Sequence, residues 1–160
     1  MNSHPKLFST MRPSGGLHLG HYFGALQNWR KYQYEYESYF MLADISSLTN
    51  QYNPELNLEE LIETVVIDWL ASGIDPSQAT IFIQSKVPEH FELSTLLAAV
   101  TPLSWLERVP SYKEKIDELE HTDLSTYGFL GLPLLQAANI LAYNSKFVLI
   151  NEEQLANIEF

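Results

Sequence analysis

Apolar residues along the chain follow two spacings. Short runs rich in β-branched and aromatic residues have the length of buried strands. They are residues 7–11, 38–43, 80–84 and 147–150. Between them, apolar residues recur every three or four positions, which is typical of helices with one buried face. Such helices are predicted over 19–34, from Pro54 to the stop at Gly73, over most of 92–120, and over 134–143.

Strands that alternate with helices indicate the α/β class. We therefore predict one Rossmann-like domain over residues 1–160, with a parallel sheet and crossover helices. In such sheets ligands bind beyond the carboxyl ends of the strands. The turn after the first strand is the first place to expect a site.

Composition restricts the partners. The formal net charge is -11 with only nine Lys and Arg residues, so these residues alone are a poor match for an RNA backbone. There are no cysteines, which excludes disulfides and thiolate metal sites within the sequence. No apolar run approaches the roughly 20 residues of a membrane span, and the first residues do not resemble a secretory signal. We expect a cytoplasmic protein with no membrane partner.

The segment from Thr10 to His21 places a glycine-bearing turn between a strand and a helix. Glycines allow close approach of an anion, and the helix start offers N–H groups. His18 and His21 could donate hydrogen bonds to phosphate, and Arg12 adds a permanent charge. A plain Pro-Gly turn with surface histidines fits equally well. A metal site at the two histidines lacks an evident third ligand nearby.

The string His18-Leu-Gly-His21 is similar to a signature of class I aminoacyl-tRNA synthetases. The longer run from Met11 to Leu26, MRPSGGLHLGHYFGAL, resembles the tryptophanyl-tRNA synthetase family. The similarity continues through VIDWLASGIDPSQATIFIQSKVPEH, TPLSWLERVPSYKEK, DLSTYGFLGLPLLQAANILAY and EEQ. It covers nearly the whole chain.

This resemblance implies activation of tryptophan with ATP and Mg²⁺ to the adenylate, followed by transfer to tRNA. It implies catalytic roles for Arg12, His18 and His21. Its candidate ATP contacts are Arg12, Gly20, His21, Gly24 and Glu153. Its candidate tryptophan contacts are Phe8, Ser46, Gln136, Asn139 and Gln154. No resident metal ion is expected.

The family pattern is altered at several of these positions. Thr10 stands where the family usually has glycine, which predicts crowding beside the ligand. Ser46 stands where it has a histidine, and Asn139 where an aspartate accepts the indole N–H. An amide oxygen can still accept, with a hydrogen bond weaker by about 1 kcal/mol. Four further departures are Leu132, Asn151, Glu153 and Asn157.

The departures indicate relaxed or redirected function, although ordinary variation among active enzymes also explains them. The family's Lys-Met-Ser-Lys-Ser loop and anticodon-binding domain are not within these 160 residues. We therefore expect a fold incomplete at its C-terminal side, weak or absent turnover, and tRNA binding only in a full-length context. The alternatives are a non-catalytic paralogue that binds a small ligand or protein partner in regulation, and a dimerisation partner of a full-length synthetase.

A few other residues carry expectations. His90 and His121 lie in polar segments and are expected at the surface. Trp69 and Trp105 lie on apolar helical stripes and are expected in the core. In the family, helices matching 93–115 help to form a homodimer. Its candidate interface residues are Leu96, Leu97, Leu103 and Trp105.

Overall fold

The computed structural model describes residues 4–50, 57–110 and 126–150. Within them, four parallel strands form one sheet in the order β3-β2-β1-β4. The strands are β1 (Lys6–Met11), β2 (Glu37–Leu42), β3 (Ala79–Ile83) and β4 (Phe147–Val148). Each begins within one residue of its predicted start, and the predicted fold class is confirmed.

Helices connect these strands. A continuous helical segment contains α1 (Leu19–His21), a π-helical stretch (Tyr22–Leu26) and α2 (Gln27–Tyr32). The others among the described residues are α3 (Asp44–Asn50), α4 (Leu58–Ala71), a 3₁₀ turn (Gln84–Lys86), α5 (Glu89–Val100), α6 (Leu103–Leu106), α7 (Tyr127–Leu130) and α8 (Leu132–Leu141). None of them is long and apolar enough to cross a membrane.

The ends of α4 follow from local chemistry. The side chain of Asn57 accepts a hydrogen bond from the Glu60 backbone N–H at 3.4 Å and caps the first turn. Gly73 ends the helix with a φ of +98°, a conformation that favours glycine. The predicted stop is therefore confirmed, whereas the predicted start at Pro54 lies outside the described residues.

The two faces of the sheet bury different clusters. Side chains alternate along a strand, so Leu7 and Phe8 point to opposite faces. On the face of Leu7, Trp29 stacks on Phe40 with ring centroids 4.4 Å apart, and the edge of Trp69 meets Trp29 at 4.8 Å. These large buried surfaces hold α2 and α4 against the sheet, each contributing roughly 2–3 kcal/mol.

Two expectations about exposed and buried residues are wrong. Trp69 is buried as predicted, but Trp105 is 54% exposed because α6 presents it to solvent. His90, expected at the surface, is fully buried in α5. Its Nε2 lies 2.7 Å from the hydroxyl of Tyr143, which reaches it from beyond the end of α8. His121 lies outside the described residues.

The buried imidazole predicts how stability depends on pH. Burial lowers the pKa of His90 below its ordinary value of 6.5, so the unfolded chain binds a proton more readily than the folded one. The free energy of unfolding should therefore decrease as the pH falls below about 6.5, by about 1.4 kcal/mol for each unit by which the pKa is lowered. Denaturant melts of the wild type and His90→Gln should differ in this range, with a flatter dependence in the variant. An equal pH dependence of the free energy of unfolding in the two proteins would contradict this role of His90.

Candidate functional site

A cavity of about 480 Å³ opens at the carboxyl ends of the central strands. The strand order reverses between β1 and β4, where parallel sheets place their ligand crevices. Its wall combines the end of β1, the turn after it, the helical segment that follows, the start of α3 and one face of α8. The residues that form it include Thr10, Arg12, His18, Gly20, His21, Gly24, Ser46, Leu132, Gln136 and Asn139.

A glycine conformation and a hydrogen bond to α4 hold the turn after β1 in place. Gly15 has a φ of +125°, which a residue with a side chain adopts only with strain. The N–H of Leu17 donates to a carboxylate oxygen of Asp68 at 3.2 Å, which ties the turn to α4. The wall of the cavity is thereby anchored to a core helix on one side.

The two histidines are oriented by backbone donors. His18 Nδ1 accepts from the N–H of Gly20 at 3.1 Å, and His21 Nδ1 accepts from the N–H of His18 at 3.3 Å. Because a backbone N–H only donates, each neutral imidazole must carry its proton on Nε2. Burial, and then the neighbouring His18, lower the pKa of His21, which favours this neutral form. Both rings can therefore donate through Nε2 to an anion.

This arrangement changes one expectation from the sequence. The first N–H groups of the helix were expected to meet phosphate directly. The N–H of Gly20 instead donates to His18 within a reciprocal capping box. The imidazole Nε2 atoms are therefore donors that this turn leaves available to a ligand, in addition to the guanidinium of Arg12.

The opposite wall is neutral and amide-rich. Gln84 is fully buried behind the cavity, between the start of α3 and α8. Its Oε1 accepts from both the backbone N–H and the hydroxyl of Ser46, each at 3.2 Å. Its Nε2 donates to Asn139 Oδ1 at 3.2 Å. We call this set the amide relay, and it joins the two predicted pocket residues through a third.

Most predicted site residues meet at this cavity, whereas Phe8 does not. Phe8 is buried on the other face of β1 and stacks on Tyr143 with ring centroids 5.6 Å apart. Ser9, on the opposite face of β1, lines the cavity instead, and Thr10 lines it because it lies nearer the carboxyl end of the strand than Phe8 does. Glu153 and Gln154 lie outside the described residues, as do Asn151 and Asn157.

Sequence reasoning missed two contributors to the site. Gln84 ends the predicted third strand, and a polar amide at the carboxyl end of that apolar run is the signal that the sequence offers. Ser9 links three elements, because Trp29 Nε1 donates to its hydroxyl at 3.0 Å and the hydroxyl donates to the Leu149 carbonyl at 2.8 Å. No local sequence pattern marks that bond between β1 and the residue after β4.

The parallel sheet and the cavity at its point of strand reversal define a Rossmann-like α/β protein. The family model for class I tRNA synthetases (W and Y) matches residues 1–160, and the chain belongs to this family. Among the described residues, no group of three His, Asp or Glu side chains is placed to hold a metal ion.

Within this family, the chain is similar in sequence to tryptophan–tRNA ligases. The chain is 55% identical over 154 residues to the tryptophan–tRNA ligase of Ralstonia nicotianae, and the match covers 96% of this chain and 38% of that protein. It is 47% identical over 155 residues to the enzyme of Thermotoga maritima, covering 96% and 47%. The chain thus spans less than half the length of these relatives.

Two solved tryptophanyl-tRNA synthetase structures also match nearly the whole of this chain. The tryptophanyl-tRNA synthetase of Campylobacter jejuni, complexed with ADP and tryptophan, matches with a TM-score of 0.87 and 30% identity, over 96% of this chain and 47% of that one. The synthetase of Mycoplasma pneumoniae matches with a TM-score of 0.88 and 29% identity, over 98% and 46%.

A methyl group at Gly20 tests the role of the histidine donors. A Cβ there would lie 2.8 Å from His18 Cε1, so Gly20→Ala must displace the ring. The test asks whether His18 Nε2 donates to a nucleotide phosphate: loss of such a donor would weaken ADP binding about tenfold, measured by calorimetry. Gly16→Ala is the matched control, because a Cβ there meets nothing within 4 Å. Equal ADP affinities for the two variants would show that His18 does not contact phosphate.

Proposed function

We propose that these residues form the ATP- and amino-acid-binding part of a tryptophan–tRNA ligase-like protein. The amino acid is tryptophan or a related small molecule, and transfer to tRNA belongs to the full-length context. One observation carries the proposal: a single cavity has cationic and imidazole donors on one wall and the neutral amide relay on the other. Such a cavity fits a nucleotide phosphate beside an uncharged side chain.

The donors suit the phosphate end of ATP. Arg12 supplies a charge that persists at all physiological pH values, and the neutral His18 and His21 supply oriented N–H groups. The net charge of -11 makes the rest of the protein unattractive to anions, so binding depends on these few groups. Magnesium enters with ATP, as the MgATP substrate.

The chemistry follows from positioning. In adenylate formation, a carboxylate oxygen of the amino acid attacks the α-phosphorus of ATP, and pyrophosphate leaves with the electrons of the broken P–O bond. No covalent bond to the protein forms. The wall of Arg12, His18 and His21 would stabilise charge on the transferring phosphate, and the α8 wall would hold the amino acid in line.

The amino-acid end of the cavity is formed by Leu132, Gln136 and Asn139 on α8, together with Ser46, which the amide relay joins to Asn139. Leucine offers an apolar contact to a ring, and the amides offer uncharged hydrogen bonds. The absence of a carboxylate from these four positions also favours the second candidate, a non-catalytic paralogue that binds a small ligand or a protein partner in regulation.

A homodimer is the proposed assembly. Leu96, Leu103 and Trp105 on α5 and α6 are 67%, 58% and 54% exposed, which leaves an apolar surface open to a partner. Leu97, also named from the sequence, is half-buried against its own subunit. A role in protein biosynthesis would place the protein in the cytoplasm.

Ligand binding and turnover separate the two candidates. MgATP with tryptophan should raise the thermal midpoint of the wild type, and pyrophosphate exchange should accompany binding only in the enzyme.

Arg12→Gln should weaken MgATP binding about tenfold or more, because a charge-assisted contact is lost. Lys31→Gln removes an equal charge from an exposed helix outside the cavity and should bind normally. If MgATP has no effect on the wild type, the proposal fails.

A further inference from the structure

The amide relay fixes which atom each side chain presents. Amide nitrogen and oxygen are easily confused in isolation, but a backbone N–H can only donate. The atom of Gln84 that faces the Ser46 backbone N–H at 3.2 Å must therefore be the carbonyl oxygen. The hydroxyl of Ser46 donates to the same atom.

The orientation of Gln84 also fixes the orientation of Asn139. Because the oxygen of Gln84 faces Ser46, its NH₂ group faces Asn139, and the Asn139 atom that accepts this hydrogen bond must be Oδ1. A reversed Asn139 would set its NH₂ group against that of Gln84. If Gln84 also reversed, its NH₂ group would face the backbone donor of Ser46. All three residues are buried, so water does not relieve either conflict.

The free group of Asn139 is consequently a donor. Its oxygen is engaged behind the cavity wall, and no hydrogen bond from Nδ2 occurs among the described residues. The residue lines the cavity, and Nδ2 is not one of the buried polar atoms that lack a partner. The cavity therefore presents an uncharged N–H₂ group at this position.

We propose that the cavity selects an amino acid whose planar side chain presents a hydrogen-bond acceptor to Asn139, in preference to the indole N–H of tryptophan. This rests on the proposed function, since it concerns the amino-acid end of the same cavity. An indole N–H would face another donor and leave the amide without an acceptor once water is expelled. A ring oxygen at the same position accepts that bond, and sites built around such a bond reject analogues that lack the matching group.

The test uses two ligands of nearly the same shape. Tryptophan and 3-(benzofuran-3-yl)alanine differ in one ring position, N–H against oxygen. Calorimetry on the wild type with MgADP present should give tighter binding of the benzofuran analogue by about three- to tenfold. Tryptophan binding as tightly as the analogue, or more tightly, would overturn the inference while leaving the proposed function intact.

Two variants test whether the amide relay causes this ligand preference. Asn139→Asp keeps an acceptor for Gln84 and offers its second oxygen to the ligand, so the preference should reverse toward tryptophan. Gln84→Glu removes the donor that engages Asn139 Oδ1, which allows Asn139 to turn its oxygen to the cavity and should also favour tryptophan. If the ligand preference is unchanged in the folded variants, the amide relay does not set it, and the inference is overturned. If neither amino acid binds the wild type or a folded variant, the amino-acid part of the proposed function fails with it.

Discussion

Strand β1 is hydrogen-bonded to a parallel neighbour on each side, and this position determines where the site lies. β2 pairs with it over its full length, while β4 pairs only at Leu7 and Phe8. The bonds from Trp29 to Ser9 and from Ser9 to the carbonyl of Leu149 extend that shorter contact toward the cavity. The core tryptophan and the cavity wall are therefore parts of one hydrogen-bonded unit. The turn that follows Met11 has a fixed starting point because its strand is held from both sides.

The two walls of the cavity use the same physical device. On each wall, a backbone N–H that can only donate fixes the orientation of an ambiguous side chain. The N–H groups of His18 and Gly20 set the imidazole tautomers, and that of Ser46 sets the amide relay. One wall consequently presents imidazole donors beside Arg12, and the other presents the amide of Asn139. These backbone donors decide which hydrogen-bonding atoms each wall offers to a ligand.

Local patterns were sufficient for most of the fold, because strand runs and helical spacing depend on neighbours in sequence. The polar segment Asp44–Asn50 was missed as a helix because it lacks apolar periodicity. His90 was placed at the surface because its partner Tyr143 lies 53 residues away. Within the site, the turn from Arg12 to His21 was located by its glycines and histidines. The role of Gln84 was not, since both of its partners come from distant segments. Phe8 shares a face of β1 with Thr10 but lies further from the carboxyl end of the strand, where it stacks on Tyr143, a contact that no local pattern predicts.

We propose that the phosphate and the amino-acid side chain occupy opposite walls of one cavity. A crystal structure of the protein with MgADP and the benzofuran amino acid tests it most directly. Phosphate oxygens should lie within hydrogen-bonding distance of His18 and His21 Nε2, and the ring oxygen within the same distance of Asn139 Nδ2. Ligands bound outside the cavity, or phosphates at the α8 wall with the ring at the glycine turn, would contradict it.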